Sequence, residues 1–351
     1  MPPIRAPANL PSLVKTAFGQ AKATGDLTYF PTQVALLKLN SVQFQLRFSP
    51  ALASKPKGPP PSDEQDKKDE MKKDKKAFNP FENPLPSMTV VKDLAPSHAL
   101  VLNKFAIVPE HFILITRQFK PQTHVLESDD LAAALACVRA YKEDAAAASD
   151  GDGVSKTDSR RSELFVFFNS GPHSGASQPH RHLQLLPVEQ MRTGLDGDAA
   201  SAWNVLAEGS DDQLRDLPFA ILREAITPDT TAEELHAKYV SLYRRAARLA
   251  LAEASNDIAG QGEAQFSYNM AMTDKVIALC PRAVEGAPIV TGRDGGRELG
   301  HVALNGTLLA GTALVKTQEL YDAIKQEPAL LFNVLEKIGF KPREETVLGN
   351  L

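Results

Sequence analysis

Apolar and polar positions alternate strictly in VQFQLRF (residues 42–48), which predicts a half-buried strand with Val42, Phe44, Leu46 and Phe48 on its inner face. The positions from 10 to 41 mix both kinds without a clear period, and no element is assigned there. Two apolar bursts, ALVLNKFAIV and HFILIT, are split by Pro109-Glu110 and predict two strands joined by a tight turn. The alanine-rich run at 128–148 has helical spacing, with Leu131, Leu135 and Val138 on one face and Ser128 as the N-cap. ELFVFFNSGPHSGASQPHRHLQLLPV (163–188) predicts a strand, a Gly/Ser-rich loop and a second strand. Further on, the pattern predicts a helix at 232–254 and strands at 265–272 and 274–281. A strand and helix follow within 301–326, and a short helix near 329–338. Strands and helices do not alternate regularly, so the expected class is α+β, built on antiparallel sheet rather than a doubly wound fold.

Two stretches break the pattern. Residues 55–77 hold three consecutive prolines and a dense mixed-charge run with almost nothing to bury, which reads as a disordered insertion spanning about 51–77, with a single solvated helix over 63–77 as the alternative. Residues 149–161 read as a loop. A polar, Gly- and Asp-containing stretch at 190–212 marks a boundary between two halves.

The chemistry concentrates in QPHRHLQLLP (178–187). On a strand, His180, His182 and Gln184 share one face, while Leu183 and Leu185 share the other with Arg181. A His-His-Gln face makes a poor core, because each polar group would need a buried partner. Three readings stay open. The histidines could be ordinary hydrogen-bonded groups on an edge. They could chelate a metal, although zinc needs three or four ligands and the third place holds glutamine. Or one imidazole could attack phosphorus and carry a phosphoramidate. The preceding loop NSGPHSGASQPH favours the last, since its glycines and serines would bring amide and hydroxyl donors beside the nucleophile.

Composition narrows the setting. The net charge is −4 and 43% of residues are hydrophobic, so a core can form and no global charge calls for nucleic acid or a membrane surface. The two cysteines, Cys137 and Cys280, lack metal or disulfide spacing and fit a reducing compartment. No apolar run is long enough to span a membrane or form a signal peptide. The cytoplasm is the expected location. The lysine-rich run at 67–76 is interrupted by acids and makes a poor import signal, which leaves nuclear access open.

FFNSGPHSGASQPHRHLQLLP resembles the signature of the fungal-type ATP adenylyltransferases, or diadenosine tetraphosphate phosphorylases. These belong to the histidine-triad superfamily, in the branch of galactose-1-phosphate uridylyltransferase. NPF (79–81), LVLNKFAIVPEHFILITRQF (100–119), YNMAMTDKVIALCPR (268–282) and LNGTLLAGTALVK (304–316) resemble further blocks in the same order. The resemblance implies a histidine-triad-like antiparallel sheet with flanking helices. It implies an N-terminal catalytic region over 1–190 and a C-terminal adenylyltransferase region over 213–335, sharing one nucleotide site. It implies reversible phosphorolysis of diadenosine tetraphosphate to ATP and ADP through adenylyl-His182, with His180 and Gln184 completing the catalytic group. Uridylyl transfer and simple hydrolysis are the alternatives.

By the same resemblance Lys55, Asn103, Lys104, Asn169, Gly175, Ala176, Ser177, Gln178, Asn269, Met272 and Lys275 would contact substrate. Asp274 separates Lys275 from the usual Thr-Lys pair, and the insertion leaves Lys55 and Lys57 as rivals for one role. His111 in VPEHF would be structural. A divalent ion, Mg²⁺, would travel with the polyphosphate. The expected partners are dinucleoside polyphosphates, ATP, ADP and phosphate, with no nucleic acid and no membrane.

Overall fold

A computed structural model describes residues 4–51, 78–95, 97–149, 163–251, 258–292 and 296–342. The charged insertion with Lys55 and Lys57, and almost all of the expected loop at 149–161, lie outside the described residues. In chain order the elements are α1 (Leu10–Thr24), β1 (Thr28–Tyr29), β2 (Gln33–Leu39), β3 (Val42–Phe48), β4 (Thr89–Leu94), β5 (His98–Leu102), β6 (Phe105–Ala106) and β7 (Phe112–Thr116). Next come α2 (Ser128–Ser149), β8 (Leu164–Ser170), β9 (His182–Pro187), α3 (Val188–Met191), α4 (Gly197–Ala202), α5 (Asp211–Arg215), β10 (Leu222–Ala225) and α6 (Ala232–Ala250). The chain closes with β11 (Tyr268–Met272), β12 (Val276–Pro281), β13 (Gly286–Thr291), β14 (Arg297–Ala303), β15 (Thr312–Val315), α7 (Gln318–Gln326) and α8 (Ala329–Ile338).

The centre is one eight-stranded antiparallel sheet, ordered β10-β12-β11-β8-β9-β7-β5-β4. It takes strands from both halves of the chain, and β8 against β11 is the seam. Alternation sorts its side chains. Leu164, Val166, Phe168, Leu183, Leu185, Tyr268 and Met270 face a core completed by α1, α2 and α6. On the other face Phe165, Phe167, Leu186, Ala271 and Ala278 meet β2, β3 and β15, a 3₁₀ turn at Gly306–Ala310, and helices α7 and α8. That second cover reaches β9 at Leu186 and goes no further along β9, β7 and β5. There the described residues form a small cluster, Phe81 with Ala99, Val101, Ile113 and Ile115.

Several local expectations shift. The unassigned N-terminal stretch forms α1, whose Leu10, Val14, Phe18 and Ala21 are buried, with Gly25 capping it at φ 81°. β3 is covered on both faces instead of one. Gln45 and Arg47 on its polar side are buried because they bond each other, and both reach the Met191 carbonyl. Helix α2 includes Ser128 in its first turn, and the carboxylate of Asp130 reaches back 2.8 Å to the Glu127 N–H. The boundary stretch at 190–212 is packed: Trp203 is fully buried there, beside Val205 and Leu206. Cys137 and Cys280 are buried, which pushes both thiols up to about 12 and leaves them unreactive. Among the described residues no helix is long and apolar enough to cross a membrane.

Candidate active site

His182 opens β9 and pairs with Ile115 of β7, while Gln184 pairs with Ile113 on one side and Phe167 on the other. Both side chains therefore sit on the sheet face where Phe81 packs over Ala99, Val101, Ile113 and Ile115, as the two-residue period requires. His180 precedes the strand, bridged to Pro121. Its Nε2–H donates to the Thr116 carbonyl at 2.7 Å, and its Nδ1 lies 2.9 Å from the Asn79 amide nitrogen. Both ring nitrogens are thus committed, in a neutral tautomer. The ring of Phe81 stands 5.8 Å from that of His180 and 5.1 Å from that of His182. Exposed Phe119 edges His180 at 5.4 Å.

His182 differs from His180 in the way nucleophilic chemistry needs. Its Nδ1–H donates to the His180 carbonyl at 2.8 Å, which leaves Nε2 as the lone-pair nitrogen, with no partner among the described residues. Burial removes water from the ring and holds it down at about 4, against the pull of that carbonyl. The ring is neutral at physiological pH, with the attacking nitrogen fixed. As Nε2 bonds to an electrophile the ring gains positive charge, and the same carbonyl is placed to receive the Nδ1–H dipole.

The opposite side of the strand is anchored by charge. Arg181 is 1% exposed and bonds the carboxylates of Asp130 and Glu127 at 2.8 and 2.9 Å, and His98 donates to Asp130 at 2.8 Å. Burial alone would raise the Asp130 carboxyl; the His98 hydrogen bond and the Arg181 charge outweigh it and hold the carboxyl low. This arginine cannot swing toward the site, so it acts as an anchor for β9.

The loop between β8 and β9 is fixed at its base and open at its tip. Gly171 and Gly175 adopt φ 85° and 78°. A Cβ on Gly175 would come within 2.7 Å of Asn305 Cβ, so that position needs glycine. The His173 N–H is tied to Ser267 Oγ and the Ser174 N–H to the Gly171 carbonyl. The N–H groups of Gly175, Ala176, Ser177 and Gln178 have no partner among the described residues. A run of consecutive amides without partners, on the loop that leads into a neutral imidazole, suits a phosphate. The side chains of Ser177, Gln178 and Gln184 are likewise unpaired among the described residues.

Asn169 and Asn269 join the two halves. Asn269 donates to Asn169 Oδ1 and to the Ser174 carbonyl, at 2.8 and 2.9 Å. The Gly306 N–H also donates to Asn169 Oδ1 at 2.8 Å. Buried Arg282 bonds Asn269 Oδ1 and the carbonyls of Val284, Glu285 and Ile338. A side chain on Gly306 would strike Phe167 and Asn169. The sequence flagged Asn169 and Asn269 but not Arg282, Gly306, Asn79 or Thr116, whose roles depend on contacts distant in the chain.

The remaining expected contacts divide. Asn103 lies on the same face one rung beyond Gln184, but its amide is held by the turn, with Oδ1 on the Phe105 N–H and Nδ2 3.0 Å from His111 Nδ1. His111 is correspondingly buried. Lys104 is exposed at the same turn. Met272 and Lys275 are not brought to the site. Met272 lies three residues from Asn269 on β11, so it faces the other way, into the core under α2 and α6. Lys275 sits at the far end of the β11–β12 hairpin, paired with Glu163 and Glu208 at 2.5 and 2.9 Å. Among the described residues no three His, Cys, Asp or Glu side chains come together as a metal site. The two histidines offer one uncommitted nitrogen between them, so the chelating reading does not fit this donor set.

Similarity to known proteins gives the chain's family. Residues 2–147 and 157–197 match the Ap4A phosphorylase N-terminal domain, and residues 215–341 match the ATP adenylyltransferase C-terminal domain. The chain belongs to the Ap4A phosphorylase family. Its relatives include the diadenosine 5',5'''-P1,P4-tetraphosphate phosphorylase 2 of Saccharomyces cerevisiae, 30% identical with 95% of each chain covered. Protein APA1 of the same yeast is 27% identical, also over 95% of each chain. Among solved structures, yeast Ap4A phosphorylase Apa2 superposes with a TM-score of 0.67 at 27% identity, covering 95% of this chain and 98% of that one. The Apa2 complex with Ap4A gives 0.66 at 26% identity, covering 95% and 97%.

Proposed function

We propose that this protein is an ATP adenylyltransferase that splits diadenosine tetraphosphate with phosphate into ATP and ADP, reversibly. The observation that carries the reading is His182. It is buried and neutral, its Nδ1 is tied to the His180 carbonyl, its Nε2 has no partner among the described residues, and the loop that leads to it carries four amides without partners among them. Relatives named as Ap4A phosphorylases, one solved with Ap4A, support the choice of substrate.

In this reading Nε2 attacks the α-phosphorus of one adenylyl group. The N–P bond forms as the P–O bond to the departing ATP breaks. An oxygen of inorganic phosphate then attacks the same phosphorus, the N–P bond breaks, and ADP leaves with the imidazole neutral again. The amides of Gly175 to Gln178, the Ser177 hydroxyl and the Gln184 amide hold the non-bridging oxygens as negative charge redistributes. Gln184 does this without a proton to lose, so it does not protonate a leaving group. A divalent ion such as Mg²⁺ enters with the polyphosphate as part of the substrate and screens its charge. Asn103 and Lys104, one rung and a turn beyond Gln184, would meet the remote part of a long dinucleotide.

Product analysis with and without phosphate tests this. ATP plus ADP, formed only when phosphate is present, is the expected outcome. AMP plus ATP formed without phosphate would make the protein a hydrolase.

A further inference from the structure

The β8–β9 ladder runs in register from Leu164 opposite Pro187 to Phe167 opposite Gln184. Two positions further, the same register would set Asn169 directly opposite His182. That pair does not form. The side-chain amide of Gln122 stands between the two strands instead. Its Oε1 accepts from the His182 N–H at 2.7 Å, and its Nε2 donates to the Asn169 carbonyl at 2.8 Å and the His182 carbonyl at 3.2 Å. A carboxamide has the donor and acceptor of a peptide unit, so Gln122 takes the place of one and completes the ladder from outside it.

We propose that Gln122 is a positioning residue that wedges the ladder open at its reacting end and fixes the nucleophile relative to the phosphate loop. Directly paired residues in an antiparallel ladder stand about 4.5–5.5 Å apart at Cα. An interposed amide with a hydrogen bond on each side holds His182 and Asn169 further apart than that. The crevice so made lies where β8 turns into the Gly/Ser loop and β9 begins with His182. Without the wedge, the unpaired N–H and C=O groups of the two strands would close on each other and shut it.

The wedge is itself rigid. Gln122 is 2% exposed. Its backbone N–H donates to the Pro179 carbonyl at 2.8 Å, and the neighbouring Lys120 carbonyl accepts from the Arg181 N–H at 2.7 Å. Residues 120–122 therefore grip 179–181 through the backbone, while the Gln122 side chain sets the next step of β9. Every polar atom of the carboxamide is spent on backbone groups of Asn169 and His182, with none left for substrate. Gln122 acts through His182 and touches no reacting atom.

The inference rests on the adenylyl-transfer reading, and the test separates the two. Gln122→Met keeps the length and bulk of the side chain but removes all three bonds, and Gln122→Glu keeps the acceptor for His182 while turning a carboxylate on the two carbonyls. Single-turnover formation of adenylyl-His182 from diadenosine tetraphosphate, without phosphate, is followed beside the Kd for that dinucleotide in wild type and both variants. Misplacement of a nucleophile by about 1 Å costs on the order of 100-fold, so a folded Met variant should slow adduct formation by at least about tenfold while Kd stays within about threefold. The Glu variant should slow it as well, and decides the matter if the Met variant does not fold. Wild-type rates in either folded variant, or a rate loss matched by an equal loss of affinity, would overturn the positioning role. Absence of any adduct in the wild type would instead overturn the adenylyl-transfer reading.

Discussion

Replacing His182 with asparagine removes one titrating ring but keeps an amide that can donate to the His180 carbonyl in place of Nδ1. In the folded protein burial holds this ring at about 4, against about 6.5 in an unfolded chain. The difference, about 2.5 units, is worth about 3 kcal/mol. A histidine whose folded value is depressed binds its proton more readily when unfolded. Above the unfolded value it contributes nothing. As the pH falls between the two values the unfolded state gains, and the loss is complete below the folded value. By about pH 4.5 some 2.5 kcal/mol of it is expressed, on the order given by the linkage relation. Denaturant unfolding of wild type and His182→Asn at about pH 7 and about pH 4.5 reads this directly. The wild type should lose about 2.5 kcal/mol more than the variant on acidification, whatever the variant's absolute stability. Parallel pH dependences would refute a buried neutral imidazole as the resting state of the nucleophile.

Other perturbations probe separate parts of the account. Gln184→Ala should lower kcat by about 10- to 1,000-fold, as for loss of one preorganised donor, and near-wild-type turnover would remove Gln184 from the mechanism. Asp130→Ala strands Arg181 without its buried partner and should cost about 3–5 kcal/mol in thermal or denaturant unfolding; a loss below about 1 kcal/mol would contradict the anchoring role. Chelation of divalent ions should slow turnover, with recovery on adding Mg²⁺ that follows the nucleotide concentration. Stoichiometric metal retained by the protein through dialysis would contradict a substrate-borne ion.

The site was legible where local periodicity carried it. A period of two puts His182 and Gln184 on one face, and the Gly/Ser loop feeding that strand stands out before any fold is known. The antiparallel α+β class followed from the order of the apolar runs. What the sequence concealed depends on partners far along the chain. Gln122 meets residues 47 and 60 positions away, and nothing around it in PQTH marks it. Arg282 reads as an ordinary basic residue until the Asn269 side chain and the Ile338 carbonyl come to it. α1 went unassigned although Leu10, Val14 and Phe18 have helical spacing, because charged and small residues dilute its pattern. Met272 is different, since its placement could have been read correctly. Three residues from Asn269 on one strand, it cannot share that side chain's face, and alternation outweighs the motif that suggested otherwise.

The most direct test of the central claim is to map the covalent intermediate. Protein mixed with diadenosine tetraphosphate in the absence of phosphate is digested under neutral conditions and examined by mass spectrometry. One acid-labile adenylyl group on His182, discharged as ADP when phosphate is added, is the expected result. An adduct on another residue, or full turnover without any adduct, would contradict it.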